Sequence, residues 1–332
     1  MKKIVFIFLA LLFFLIFVFC FVWWKEATKP KDPGFKAFMS FVVPRGSSAS
    51  QVGKKLQDEG LIRSSLAFKI YFQFQGKSSQ IKAGEYQISP SETMQQIVNK
   101  LISGPRLFWV TFPEGLRKEE IALKLIKELN IENSPSFYNQ FLEESKGKEG
   151  FLFPDTYLLP KEITADKFVG LLYNNFLAKT KPLENDIKRT GMSLEQVIIF
   201  ASIIERETRS ESERPIVAGI LIKRLKSGWP LQVDASVQYA VATKNCIGFN
   251  PDCKWWPILT KNDMDINSPF NSYKFKGLPP TPISNPGISS IKAVIYSKES
   301  NYWFYLHDDK GNVYFAKTLE EHQSNIRKYL RK

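Results

Sequence analysis

The sequence predicts an α+β protein held by one N-terminal transmembrane helix, and three observations carry that prediction. A long uncharged apolar run opens the chain. Short strand signals then alternate with amphipathic helix patterns. Near the end, two aromatic-rich strands flank a turn, which is a hairpin signal.

The apolar run extends from Ile4 to Trp24 without a charge. At about 1.5 Å per residue, it crosses the ~30 Å of bilayer hydrocarbon. The competing reading is a cleaved signal peptide, whose apolar region is about 7–15 residues and ends in small residues. This run is longer and ends Phe19-Cys20-Phe21-Val22-Trp23-Trp24, too bulky for a cleavage site. Phe19 also stands where a lipidated Cys20 would need a small residue before it. The run therefore reads as an uncleaved anchor, with Trp23 and Trp24 at the membrane interface. Lys2 and Lys3 precede it, so the short amino end is expected in the cytoplasm and the rest outside. The expected segments are a tail at 1–3, the span at 4–24 and a Lys-, Pro- and Gly-rich linker at 25–38.

The remaining chain is long enough for one large domain or two ordinary ones, and 44% apolar content supports a substantial core. The net charge is +13, from 46 Lys and Arg against 33 Asp and Glu. Nucleic acid, anionic lipid and an anionic wall polymer compete as partners, beside a merely solvated basic surface. An extracytoplasmic position argues against nucleic acid. Cys246 and Cys253 lie seven apart in a loop-like stretch, as a disulfide or as two thiols. His307 and His322 are the only histidines and neither lies near a cysteine, so no metal set is visible. No cofactor is expected.

In chain order, Phe41-Val42-Val43 reads as a strand. Pro44-Arg45-Gly46 follows, then a helix with Val52 and Leu56 on one face. A helix at Leu66 to Phe74 and a returning strand at Lys82 to Ile88 come next. Ser91 is expected to cap a helix that buries Met94, Ile97, Val98 and Leu101. Sixty-nine residues after the first unit, Val110-Thr111-Phe112-Pro113-Glu114-Gly115 echoes residues 41–46, and Ile121 and Leu125 echo Val52 and Leu56. This is either a pair of small strand–turn–helix units in series or a common pattern met twice.

Helices are expected at Phe168 to Phe176, Ser193 to Thr208 and about Glu213 to Lys226. Ser193 and Gln196 make a capping box, and Pro215 and Gly228 mark the ends of the third helix. From Gly228 to Gly287, frequent Pro and Gly predict long shaped loops, with a half-buried strand at Gln232-Val233-Asp234. A hairpin, Tyr302 to Leu306 with Val313 to Ala316, and a final helix capped by Thr318 complete the chain.

The most informative segment is Ser193 to Thr208. Val197 to Ile204 is apolar except for Ser202, so the helix is expected to be buried nearly all round. Glu207 sits over Ile203 and Ile204 at the helix carboxyl end. Burial and the helix dipole both favour its neutral acid, the form that can protonate the leaving oxygen of a glycosidic bond. The plainer alternative is a solvated helix end, or an ion pair with Arg206, Arg209 or Arg214. A second constellation is Asn267 to Tyr273 followed by the Pro-rich Gly277 to Gly287. It is a stiff loop whose Asn and Tyr side chains suit sugars, or a connection without a ligand. Gln232 and Asp234 either face a cleft or satisfy loop backbone.

Ala201-Ser202-Ile203-Ile204-Glu205-Arg206-Glu207-Thr208 resembles the catalytic helix of the YceG-like (MltG-like) endolytic murein transglycosylases. Glu149-Gly150-Phe151-Leu152-Phe153-Pro154-Asp155-Thr156-Tyr157 is similar to that family's Gly-aromatic-Pro-Asp-Thr segment. Ser212-Glu213-Arg214, Leu231-Gln232-Val233-Asp234, Asn271-Ser272-Tyr273, the Gly277-to-Gly287 run and the Tyr305-to-Leu330 region extend the resemblance over essentially the whole chain.

The resemblance implies a small LysM-like α/β module at 39–108 and a mixed α+β catalytic domain at 109–332. It implies cleavage of the MurNAc-β-1,4-GlcNAc bond in nascent peptidoglycan to leave 1,6-anhydroMurNAc ends and terminate strand growth. Glu207 is the implied catalytic residue, with Glu205 as the alternative. Asn271, Tyr273, Gln232 and Asp234 are the implied substrate-positioning residues. The implied partners are peptidoglycan glycan strands, with peptidoglycan synthases and the division or elongation machinery as further expectations. The implied place is the cytoplasmic (inner) membrane, single-pass, with the catalytic part on the extracytoplasmic, periplasmic side. The stretch carrying Cys246 and Cys253 departs from the family pattern. A non-catalytic glycan-binding or scaffold protein, and a hydrolytic muramidase, are the alternatives.

Overall fold

A computed structural model describes residues 2–74, 81–105 and 107–330. It is a mixed α+β structure that divides into two compact units, residues 1–110 with 157–162, and residues 111–156 with 163–332.

The first unit opens with α1 (Lys2–Ala27), then β1 (Met39–Val43), α2 (Ala49–Asp58), α3 (Ser65–Phe74), β2 (Gly84–Ile88) and α4 (Met94–Ser103). Among the described residues α1 carries the one stretch long and apolar enough to cross a membrane, Phe8–Ala27. Strands β1 and β2 pair antiparallel with Phe41 opposite Tyr86. Phe41, Val52, Leu56, Phe68, Phe72, Ile88, Ile97 and Leu101 close a core between sheet and helices. Capping boxes set the starts of α2 and α4, from Ser48 with Gln51 and from Thr93 with Gln96. The α4 cap is thus Thr93 and not Ser91, whose hydroxyl bonds Ser89 instead. The register explains the choice, because a box needs Gln or Glu three residues on and only Thr93 has one, Gln96.

Residues 25–38, expected as a linker, are bound into this unit over much of their length. Helix α1 continues to Ala27, which is buried. The Asp32 amide donates to the Pro90 carbonyl at 2.9 Å, and the Met94 amide to that of Thr28 at 3.3 Å.

The echo in the sequence corresponds to a repeated order. Strand β3 (Leu107–Thr111), α5 (Lys118–Leu129), α6 (Ser134–Glu144) and β4 (Thr156–Pro160) follow the same strand–helix–helix–strand plan as β1 to β2. The sheet order is β1-β2-β3-β4. The two turn glycines, Gly46 and Gly115, adopt the same left-handed conformation, with φ of 76° and 78°. That backbone is costly for any residue with a Cβ, which is why each turn carries Gly.

The second unit continues with α7 (Ala165–Thr180), α8 (Glu184–Arg189), α9 (Leu194–Glu207), α10 (Arg214–Lys226), α11 (Asp234–Asn245), α12 (Ile288–Ile295), the hairpin β5 (Phe304–His307) and β6 (Val313–Ala316), and α13 (Leu319–Tyr329). Helices α10, α11 and α12 pack around α9. Every residue from Val197 to Ile204 is at most 5% exposed.

One expectation fails between Gly228 and Gly287. Gln232-Val233-Asp234 is not a strand: Gln232 is left-handed at φ 54° and Asp234 opens α11. Leu231 and Val233 are buried while Gln232 and Asp234 are exposed, so the alternation is real, but a helix start produces it. Beyond α11, Cys246 and Cys253 form a disulfide, with Cα atoms 5.9 Å apart.

Candidate active site

The site is assembled around α9. Ser193 caps its amino end in a box with Gln196. Ser202 lies in the buried middle, where its hydroxyl bonds the Ile199 carbonyl and accepts from the Ile283 amide at 3.1 Å. The Ser284 hydroxyl donates to the Ser202 carbonyl at 3.1 Å. The stiff Pro-rich loop is thus stitched along the core helix. Gly150 makes this close approach possible, since a Cβ there would lie 2.5 Å from Pro282 and 2.8 Å from Ile198.

The two glutamates at the end of α9 have different surroundings. Glu205 is committed to structure: Oε1 pairs with Arg214 Nη2 at 2.9 Å and Oε2 accepts from the Gly287 amide at 2.9 Å. Glu207 faces a cleft of ≈ 420 Å³. Its Oε2 accepts from the Tyr305 hydroxyl at 2.8 Å, and the Ala235 amide at the start of α11 reaches Oε1 at 3.5 Å. Burial raises the Glu207 carboxyl to about 7, opposed by the Tyr305 bond; Asp234 adds to the rise and Arg224 moderates it. Burial also lifts the Tyr305 hydroxyl well above its ordinary value, so it stays a donor.

The other walls come from distant parts of the chain. Arg224 of α10 is 5% exposed and is held by the Trp303 carbonyl, with Nε at 2.9 Å and Nη2 at 2.6 Å. Asp234 Oδ1 accepts from the Tyr273 hydroxyl at 2.6 Å, and Gln232 stands beside them. Phe304 lies stacked against His322 at 5.1 Å. His322 Nδ1 is buried and has no hydrogen-bond partner among the described residues.

Glu207, Gln232, Asp234 and Tyr273 therefore share one cleft, while Asn271 is not among its lining residues. Asn271 is fully buried. Its amide nitrogen bonds the Met264 and Ile266 carbonyls, each at 3.0 Å, and its oxygen accepts from the Tyr273 amide at 3.1 Å. It shapes the loop that presents Tyr273. Sequence reasoning passed over Tyr305, Arg224, Phe304 and His322 as site residues, and nothing local to any of them signals a cleft. Among the described residues no group of three or more His, Cys, Asp or Glu is placed to hold a metal ion.

Chemically, the cleft offers one acid poised to give up a proton near neutral pH, a buried cation, a second carboxylate and aromatic faces. This is equipment for general acid–base chemistry.

The chain matches the YceG-like family over residues 41–328. The endolytic murein transglycosylase of Bacillus subtilis is 29% identical over 335 residues, covering 93% of this chain and 90% of that protein. That of Streptococcus pneumoniae serotype 2 is 25% identical over 341 residues, covering 92% of this chain, which spans 61% of the length of that relative. A 2.6 Å crystal structure of a yceG-like protein from Listeria monocytogenes superposes with a TM-score of 0.55 at 27% identity, covering 87% of this chain and 99% of that one. The chain belongs to the YceG-like family.

Proposed function

We propose that this chain is a membrane-anchored lytic transglycosylase that cuts within the glycan strands of nascent peptidoglycan, with Glu207 as its single acid and base. The family membership and the names of the relatives support the enzyme class. The observation that carries the assignment of Glu207 is its carboxyl, raised to about 7 and open to the cleft, with one oxygen held by Tyr305.

The reaction follows from that arrangement. Tyr305 occupies Oε2, so the acid proton resides on Oε1. Oε1 gives this proton to the glycosidic oxygen, and the bond to the MurNAc anomeric carbon breaks. The GlcNAc end leaves with a free 4-hydroxyl. The resulting carboxylate is stabilised by the Tyr305 hydroxyl, by the α11 amino end at Ala235 and by the Arg224 charge. Glu207 then takes the proton of the MurNAc 6-hydroxyl as its oxygen closes on the anomeric carbon. The product is a 1,6-anhydro ring, the acid is regenerated and no water is consumed. Asp234 faces the positive charge that develops at the anomeric carbon, while Tyr273 and Gln232 position the sugar.

In this reading α1 holds the chain in the cytoplasmic membrane and the rest lies on the extracytoplasmic side. The strand–helix–helix–strand order of residues 39–88 supports a LysM-like, glycan-binding module. Peptidoglycan synthases are the partners such an enzyme would follow.

The test is product analysis on un-cross-linked glycan strands. The wild-type chain is expected to shorten them and leave anhydro-ended products, and Glu207→Gln to leave them intact. Reducing ends would make the enzyme a hydrolase. Retention without shortening would make it a binding protein.

A further inference from the structure

The first unit carries an exposed apolar stripe that the proposed reaction does not use. Helix α3 buries Ala67, Phe68 and Phe72 in the core of that unit, each 0% exposed. Leu66, Ile70 and Phe74, spaced four apart, line a different face. Leu66 is 56% exposed and Phe74 is 86% exposed, with Ile70 half-buried between them. Such a stripe calls for a partner.

Its position beside α1 identifies the partner. Just before α3, Arg63 pairs with Glu26 at 2.7 Å and its Nε donates to the Pro30 carbonyl at 2.8 Å. Eight residues later, Tyr71 stacks on Trp24, with ring centroids 6.1 Å apart and planes 9° apart. The contacts thus move from Glu26 and Pro30 to Trp24 as α3 proceeds, toward the apolar run of α1. Phe74 lies three residues further, about 4.5 Å along the helix axis. Lys69 is exposed on the same helix, and Lys25 lies over the Phe21 ring at 5.0 Å. An apolar stripe with basic neighbours, level with a Trp pair, matches an interface between acyl chains and anionic headgroups.

We propose that α3 is a second membrane contact, with Leu66, Ile70 and Phe74 seated in the outer headgroup–acyl boundary beside α1. The proposal rests on the reading of α1 as a membrane span. The single-pass anchor then becomes a two-point one, and the unit cannot swing freely about the end of α1.

The test uses the full chain in vesicles of phosphatidylethanolamine and phosphatidylglycerol. Cys20→Ser removes the free thiol, and a fluorophore is attached at Phe74→Cys, at Val22→Cys or at Lys54→Cys. Position 54 is on the exposed face of α2. Lipids carrying a quencher just below the headgroup are expected to remove about half of the emission at position 74, since interfacial helices sit ~5–10 Å deep. Position 54 is expected to keep its emission, and position 22 to be quenched by lipids labelled along the acyl chain. Quenching at 22 without quenching at 74 leaves the anchor and overturns the second contact. Quenching at none of the three overturns the anchor reading and the proposal with it. A blue-shifted but unquenched label at 74 means that protein, a second copy or another chain, covers the stripe, and this also overturns it. Phe74 is outside the core, so loss of folding does not confuse these outcomes.

Discussion

Glu149 is buried and Glu207 half-buried, and both acids are held above their ordinary values, yet the structure treats them in opposite ways. Burial dominates in each: it takes Glu207 to about 7, and it raises Glu149 with help from the neighbouring Glu119 charge. Glu149 is sealed among groups of its own chain. Its Oε1 accepts from the Asn285 amide at 2.8 Å and from the Lys118 amide at 3.1 Å. Glu207 keeps one oxygen for Tyr305 and turns toward a cleft. A raised carboxyl alone therefore does not mark a catalytic acid. Exposure to the cleft separates the two.

Glu207→Gln should have the largest effect. A general acid–base group contributes about 10²–10⁴-fold, so product formation should fall by that order while the circular dichroism of the variant stays native. With Glu207 as the proposed acid, its protonated form is the active one, so kcat/KM should decline as pH rises through about 7. Stability carries the same sign. A carboxyl raised from 4.5 to about 7 favours folding below its unfolded value, and that contribution is lost as pH rises through the folded one. Denaturant melts at several pH values should show Glu207→Gln gaining on the wild type across this window and levelling off above it.

Tyr305→Phe should have the next largest effect. A hydrogen bond to a charged group is worth about 1.5–3 kcal/mol, roughly 10–100-fold in rate if it acts on the carboxylate formed in the reaction. Because that bond lowers the Glu207 value, its removal should move the alkaline limb of the pH–rate profile upward. A purely structural tyrosine would lower the plateau without moving the limb.

The contrast also separates what was legible in the sequence from what was not. The buried helix, its Ser193–Gln196 box and the position of Glu207 at its end are local facts, written in periodicity and capping chemistry. The partners of Glu207 are not local. Tyr305 arrives 98 residues downstream on a hairpin, and its sequence there shows only alternating aromatics. Arg224 looks like one of several basic residues at a helix end, and its bonds to the Trp303 and Leu231 carbonyls are what hold it buried. The start of α11 imitates a strand in its sequence. Leu231 and Val233 are buried in alternation with Gln232, but the left-handed backbone of Gln232, not a pleat, produces the pattern. Asn271 has a side chain that suits a sugar, and here its amide nitrogen donates to two loop carbonyls. Residue type revealed its hydrogen-bonding capacity without its direction.

Glu205→Gln tests whether two glutamates two residues apart divide structure from chemistry. The change removes the charge facing Arg214 in a largely buried pair while leaving an oxygen for the Gly287 amide. A loss of about 1–3 kcal/mol in chemical denaturation is expected, with activity per folded molecule falling far less than in Glu207→Gln. The reverse ordering of the two variants would move the catalytic acid to Glu205.

Glu149→Gln should have the smallest effect, and its size follows from which oxygen is used. Both close donors, Asn285 Nδ2 and the Lys118 amide, converge on Oε1, and Oε2 has only the long 3.4 Å arm from Lys118. A glutamine with its oxygen in the Oε1 place keeps both close bonds and buries no charge. Folding stability near pH 5 should change by less than about 1 kcal/mol, and product formation should stay within a few-fold of wild type. Above neutral pH the variant should be the more stable protein, because a carboxyl held high by burial must pay to ionise and an amide does not. Glu149→Ala is the informative control: it strands the Asn285 amide beside the Pro-rich loop, at a cost of about 1–3 kcal/mol. If Glu149→Gln instead abolished activity in a chain of unchanged stability, the sealed acid would be coupled to the cleft, and access would no longer separate the two carboxyls.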